Sequence, residues 1–371
     1  MKNIILGCFS LLFLIACSSD SSSKETNNDN FNRTELLTNW ADNIIIPRYE
    51  NYQAKVALLD TKVSAFVSTP DQTNLNEVRN AWLEAYKAYQ YVGMFSIGKA
   101  ETINFNSATN IYPTNQAGIQ ANITNGGYNF DLLSQYDKQG LPAMDYMING
   151  LANTDTEIIA FYETNADAIK YKQYLTDLVN QLKVNIDVVV TDWNGTYRNT
   201  FISSNGNSIS SSTNKIVNSF IKYYERDIRS GKVGIPAGIS STGVQYPEKV
   251  EAYYKNDISK ILLNESLIAS KDFFNGKHFN STIEGPSLKT YIDYLKTIKS
   301  IQDISGAINN QFEVISTKNN VLSDSFTAQV NSNNTAMIES YDAMNQNVIY
   351  FKLDMMQAMN ITVDYVDNDG D

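Results

Sequence analysis

Few residues in this chain can do chemistry. Its 371 residues contain one histidine, His278, and two cysteines, Cys8 and Cys17. A His-rich metal cluster is therefore excluded, and any His-based catalysis would have to run through His278, which sits in the turn-like stretch "NGKHFN". The remaining candidates are carboxylates and cations. Asp145 lies in "QGLPAMDYMING" (139–150), where Gly140, Pro142 and Gly150 mark the ends of a short helix. Leu141, Met144 and Ile148 make its apolar face, and Asp145 falls on that same face. A carboxylate so placed either contacts a ligand or has a structural role. In the second case the free N–H groups of a first helical turn would hold it, or a cation such as Arg226, Arg229 or Lys232.

Those cations belong to "YYERDIRSGK" (223–232). Arg226 and its neighbours could clamp an anion at a cleft, since arginine offers a bidentate fork. The alternative is surface ion pairing with Glu225 and Asp227, plus favourable cations at a helix C-terminus. Glu251, Tyr253 and Tyr254 follow in "PEKVEAYYKNDIS" (247–259). The end of the chain, "YVDNDGD", alternates Asp367, Asp369 and Asp371 like the start of a calcium loop. It lacks the glycine after the third acid and the distal glutamate, and reads as a solvated acidic tail. No Gly-rich phosphate loop, nucleophile elbow or His-Glu-x-x-His is present.

The elements that must position these residues are helical. In "TNLNEVRNAWLEAYKAYQYV" the apolar positions Leu75, Val78, Trp82, Ala85, Tyr86 and Tyr89 step by three and four. Leu175, Leu178, Val179, Leu182, Ile186, Val189, Val190 and Trp193 do the same farther along. Residues 34–68 form another long helix with a kink or restart at Pro47. Further helices are expected at 213–230, 247–274, 287–318 and 333–359. Loops are expected at 99–127, 194–212 and 231–246, the last as an ordered irregular loop. The one short alternating stretch is "NITVDYVD". The expected architecture is all-α, with two helical-bundle lobes and an inter-lobe cleft, divided in the Ser/Asn stretch at 202–212.

The start of the chain reads as an export signal: Lys2, an apolar run from Ile4 to Ile15, and Cys17 directly after Ala16. This resembles a lipobox, in which Cys17 is lipidated and becomes the mature N-terminus. The expected organisation is a lipoprotein signal peptide at 1–16, a disordered polar tether at 17–32, an N-terminal helical lobe at 33–205 and a C-terminal one at 206–371. Ser18 does not look like an inner-membrane retention signal, so the expected location is the cell envelope at the outer membrane, anchored through the N-terminal lipid. The 29 basic and 40 acidic residues leave a net charge of −11 and make nucleic acid an unsuitable partner. The 23 tyrosines either line a glycan- or peptide-binding surface or fill helix–helix contacts with their hydroxyls at the rim.

Four segments together resemble the imelysin-like family, also classed as the M75 peptidases. "AWLEAYKAYQYVGMFSIG" (81–98) is similar to the family's Trp-bearing helix, and "GLPAMDYMING" to its Gly-x-His-x-x-Glu segment. "RSGKVGIPAG" (229–238) and "PEKVEAYYKNDIS" are similar to the loop and helix that open its second half. The resemblance implies an all-α fold with a cleft between two lobes and an association with iron or haem uptake in the envelope. It also implies a metal or peptidase site at the His-x-x-Glu. Here the His position is Pro142 and the Glu position is Asp145, and the acid expected two residues before Phe95 is Gly93. The resemblance thus implies a ligand- or partner-binding lipoprotein without catalysis, with Asp145, Arg226, Lys232, Glu251 and Tyr254 as cleft residues. Iron or haem is the implied ligand and iron/haem uptake proteins are the implied partners. An M75-type metallopeptidase and a surface glycan- or peptide-binding protein are the alternatives.

Overall fold

Pro47 lies in helix α1 (Ile46–Ser68), and the Asn43 carbonyl that an N–H at position 47 would meet accepts the Phe279 N–H at 2.8 Å instead. In this computed structural model, which describes residues 29–239, 241–299 and 301–366, α1 continues from Arg33–Asn39 through a π-helical turn at Trp40–Ile45. The restart expected at Pro47 is therefore a change of helical pitch. Tyr49, Tyr52, Val56, Leu59, Val63 and Phe66 form its buried stripe. Asp71 caps α2 (Gln72–Tyr89) by accepting the Asn74 N–H at 2.8 Å, and α2 buries the stripe read from its spacing. α3 (Gly140–Asp145) runs into a π-helical turn, Tyr146–Gly150. α4 (Ala168–Asp192) buries Leu175 through Val190 at the expected positions. α1 packs along both α2 and α4, and α3 packs against α4.

α5 (Ser212–Lys222) continues as a π-helix, Tyr223–Gly234. α6 (Ser259–Asn275), α7 (Leu288–Lys299), α8 (Ile304–Asn320) and α9 (Phe326–Ile349) complete a second group. α8 packs on α9, and α9 on the π-helix. Aromatic rings hold this group together: Phe220 lies 5.2 Å from Phe273 and 5.2 Å from Phe351. Phe95, at the end of the first group, packs edge-on against Phe273 at 5.4 Å and joins the two. Residues Phe31–Asp371 hold together as one compact unit.

The described residues form no strand, and residues 360–366 of "NITVDYVD" are irregular; a lone bridge joins Lys277 and Glu284. Four expectations change. The loop expected at 194–212 begins only after Ser203, since a π-helical turn and a short helix extend that far. The stretch 99–127 carries three short helices rather than a loop. Residues 287–318 divide into α7 and α8. The helix expected from 247 begins only at Ser259, because Ala252 and Asn256 adopt φ of 56° and 65°, which an α-helix cannot contain. The signal segment, Cys17, most of the tether and the acidic tail Asp367–Asp371 lie outside the described residues.

Candidate functional site

The 139–150 segment is fixed at both ends by side chains of the first helix group. Trp82 Nε1 donates to the Leu141 carbonyl at 3.0 Å, and Arg79 donates to the Ile148 carbonyl at 2.9 Å while pairing with Asp155 at 2.7 Å. Tyr162 OH donates to the Met147 carbonyl at 2.7 Å. The bonds to Met147 and Ile148 occupy carbonyls that the last turn of the helical run leaves unpaired. Gly140 has φ of 78°, and a Cβ there would lie 2.3 Å from the Thr109 carbonyl oxygen, so both conformation and space require glycine.

Asp145 is buried at the end of α3, not in a first turn. Its Oδ2 accepts the Tyr254 N–H at 2.9 Å, and its Oδ1 accepts the Lys255 N–H at 3.0 Å and Asn149 Nδ2 at 2.9 Å. Two of its three partners are therefore backbone donors of the irregular segment 250–258, the third is the Asn149 amide, and none of Arg226, Arg229 or Lys232 pairs with it. The left-handed residues at 252 and 256 that end the expected helix also free these N–H groups. Burial pushes the Asp145 carboxyl up to about 7, against the opposing pull of the three hydrogen bonds.

Glu251 is buried under the same segment. Its carboxylate pairs with the buried Lys232 and accepts Asn110 Nδ2 at 2.8 Å and Gln90 Nε2 at 3.3 Å. Asn110 Oδ1 in turn accepts Tyr86 OH at 2.5 Å, and Gln90 Oε1 accepts Tyr223 OH at 3.3 Å. Burial lowers the Lys232 pKa, with Glu251 opposing the shift. The pair sits in a connected polar network, the condition under which a buried ion pair is tolerated.

Two cavities flank this network. The smaller, about 150 Å³, is lined by Tyr112, Pro142, Asp145, Val250 and Tyr254 among others. The larger, about 470 Å³, lies between the two helix groups: Gly93, Ser96, Asn104 and Asn106 line it from the first, Ser219, Lys222, Tyr223, Arg226 and Asp227 from the second. The ring of Tyr223 covers Gly93: a Cβ at that position would lie 2.5 Å from Tyr223 Cε2.

The expected cleft residues thus separate. Asp145 and Tyr254 border the small cavity, Arg226 the large one, and Lys232 and Glu251 are buried against each other. Neither reading of "YYERDIRSGK" as a clamp or as surface pairs holds for Arg229. It is buried, donates to Glu225 at 3.4 Å and stacks over Tyr341 at 5.0 Å, while Glu225 also accepts Lys352 and Tyr365. Gln90, Asn110 and Tyr223 escaped the sequence analysis. Gln90 had left a signal, since it sits four residues after Tyr86 and extends the buried stripe with a polar group.

A family model for imelysin, peptidase M75, matches residues 45–347. The chain belongs to the imelysin family. An iron-regulated protein A from Synechococcus elongatus is 22% identical over 115 residues, a match that covers 31% of this chain and 30% of that protein. Two solved structures share the fold. One, described as an iron-regulated protein A precursor from Parabacteroides distasonis, has a TM-score of 0.70 at 13% identity and covers 88% of this chain and 95% of its own. The other, an imelysin-like protein from Psychrobacter arcticum, has a TM-score of 0.69 at 16% identity and covers 90% and 97%.

The metal implied by the family motif does not fit the residues present. A His and a Glu three apart could both reach one ion, but Pro142 carries no donor atom. Both Asp145 oxygens already accept N–H groups. No group of three or more His, Cys, Asp or Glu among the described residues is placed to hold a metal ion.

Proposed function

We propose that this imelysin-family chain is a binding protein with an iron-related role, not a peptidase. In this reading it holds a small hydrophilic ligand in the cavity between its helix groups. The observation that carries the proposal is that cavity's lining: serine and asparagine side chains, two cations and two acids, with no aliphatic wall. Polar groups placed on two facing elements can orient a ligand by hydrogen bonds, and the volume is in the ordinary range for small-ligand sites. The iron link rests on the iron-regulated relatives and the family.

The same lining favours a hydrophilic iron chelate over haem. A haem needs an apolar slot and an axial ligand such as His, Met, Cys or Tyr. Tyr223 is the one such residue at this cavity, and its hydroxyl donates to Gln90. Glycan binding through a tyrosine row has less support, because Tyr253 is the one tyrosine among the described residues with an exposed surface. Anchoring through a lipidated Cys17, on the envelope side of a membrane, completes the proposal. No helix among the described residues is long and apolar enough to cross a membrane.

The test is calorimetric titration with a ferric hydroxamate chelate and with haem, on the wild type and on Asp227→Asn. Saturable chelate binding that weakens at least tenfold in the variant is expected. Stoichiometric haem binding with no chelate binding would overturn the reading.

A further inference from the structure

Arg48 is 1% exposed, yet its guanidinium has no carboxylate partner among the described residues. Nη1 makes long contacts only: 3.3 Å to the Ala269 carbonyl, 3.5 Å to the Tyr91 carbonyl and 3.8 Å to Met94 Sδ. Nε is buried with no hydrogen-bond partner. The rings of Tyr91 and Phe95 lie 5.3 and 5.7 Å from Cζ and lend weak cation–π support. Burial lowers its pKa to about 10, with Asp272 and Tyr91 opposing, so the group is still charged at neutral pH. A buried charge without an anion is an arrangement that folding alone does not favour.

Arg48 lines a groove of about 860 Å³ between α1, α2, α6 and the 277–282 turn. This groove shares no lining residue with the cavity beside Gly93. Lys55, Lys87 and Lys277 stand around it, and its acids are already engaged. Glu84 is held by Lys87 at 2.9 Å and Lys55 at 3.5 Å, Asp272 by Lys277 at 3.4 Å, and Glu265 accepts Tyr91 OH at 2.7 Å. The lining holds four cations, Arg48, Lys55, Lys87 and Lys277, against three acids, which leaves one positive charge over in a chain whose net charge is −11. Tyr91 and Phe279, in edge-on contact at 6.4 Å, supply an apolar wall.

We propose that this groove is a second binding site, specific for a carboxylate-bearing ligand, with Arg48 as its buried anchor. The planar guanidinium matches a carboxylate, and its Nε–H has no partner in the protein. The lysines at the rim draw the anion in, and the ring pair packs its carbon skeleton. The site is independent of the ligand cavity proposed above.

Iron-free citrate and a tripeptide ending in tyrosine, with its C-terminus free or amidated, are titrated into the wild type, Arg48→Met and Lys87→Gln, and each melting point is recorded. Citrate or the free-acid peptide is expected to bind saturably and to raise the melting point. Which of the two binds identifies the source of the carboxylate. Arg48→Met is expected to fold, because it removes an uncompensated charge, and to lose at least tenfold in affinity. Lys87→Gln is expected to lose two- to threefold at an unchanged melting point, which keeps the test valid if Arg48→Met fails to fold. Arg226→Gln, in the other cavity, is expected to bind like the wild type. The proposal is overturned if neither probe binds, if the amidated peptide binds as well as the free acid, or if binding survives in both groove variants.

Discussion

The ring of Tyr223 lies where a side chain at position 93 would begin, 2.5 Å from the Cβ that Gly93 lacks. The acid that the family resemblance implies at this position is absent, and the tyrosine ring takes up the space it would need. Restoring the acid therefore requires moving the ring. Gly93→Asp is expected to lower stability by about 1–3 kcal/mol through overpacking. Adding Tyr223→Ala should relieve the clash at position 93, so a double-mutant cycle in urea should give a favourable coupling of more than about 0.5 kcal/mol. Additive losses would mean that the ring does not occupy that space.

Asp145 is expected to matter for stability rather than for ligand affinity. Asp145→Asn turns one acceptor into an NH₂ group facing a backbone N–H, which costs about 1–3 kcal/mol for a buried group. Chelate affinity should stay within a few-fold. A large affinity loss at unchanged stability would return Asp145 to the binding site.

The same residue gives a pH signature. Its folded pKa of about 7 lies above the unfolded value, so the folded chain holds the proton more tightly. The stability contributed by protonation is complete below about pH 4, the unfolded carboxyl value, and lost as pH rises through 7. The stability difference between wild type and Asp145→Asn should therefore be larger at pH 5 than at pH 8. Chemical denaturation at the two pH values reads it directly, and an equal or inverted difference would contradict the burial argument.

Lys232 and Glu251 should behave as a unit. Lys232→Met leaves a buried carboxylate with only Gln90 and Asn110, and is expected to cost about 3–5 kcal/mol. Replacing both partners by methionine should recover part of that loss, since no charge then remains buried. A double variant less stable than the single one would show that Glu251 is held mainly by its amide partners.

Much of the helical frame is legible in the sequence, because long amphipathic stripes such as Leu75 to Tyr89 and Leu175 to Val190 have one period and one interpretation. The family is legible from four segments, all inside or overlapping the matched residues 45–347. The site is less so. Asp145 is visible as an acid on an apolar face, but two of its three partners are not, since they are main-chain N–H groups freed by left-handed residues at 252 and 256. Ala252 carries no turn signature, and the 250–258 stretch has helical composition. The Lys232–Glu251 pair spans a loop whose path spacing alone does not define. Arg48 follows Pro47 in a helix and looks like any surface cation; its burial depends on α6, which is more than 200 residues away.

The Pro142–Asp145 position is filled by the protein's own contacts, which leaves no place for a catalytic metal. This is tested by metal analysis of residues 31–371 after dialysis against iron, zinc and calcium, with a melting curve for each. Substoichiometric metal and unchanged melting points are expected. One equivalent of a transition metal, lost in Asp145→Asn, would contradict the account and restore the metallopeptidase reading.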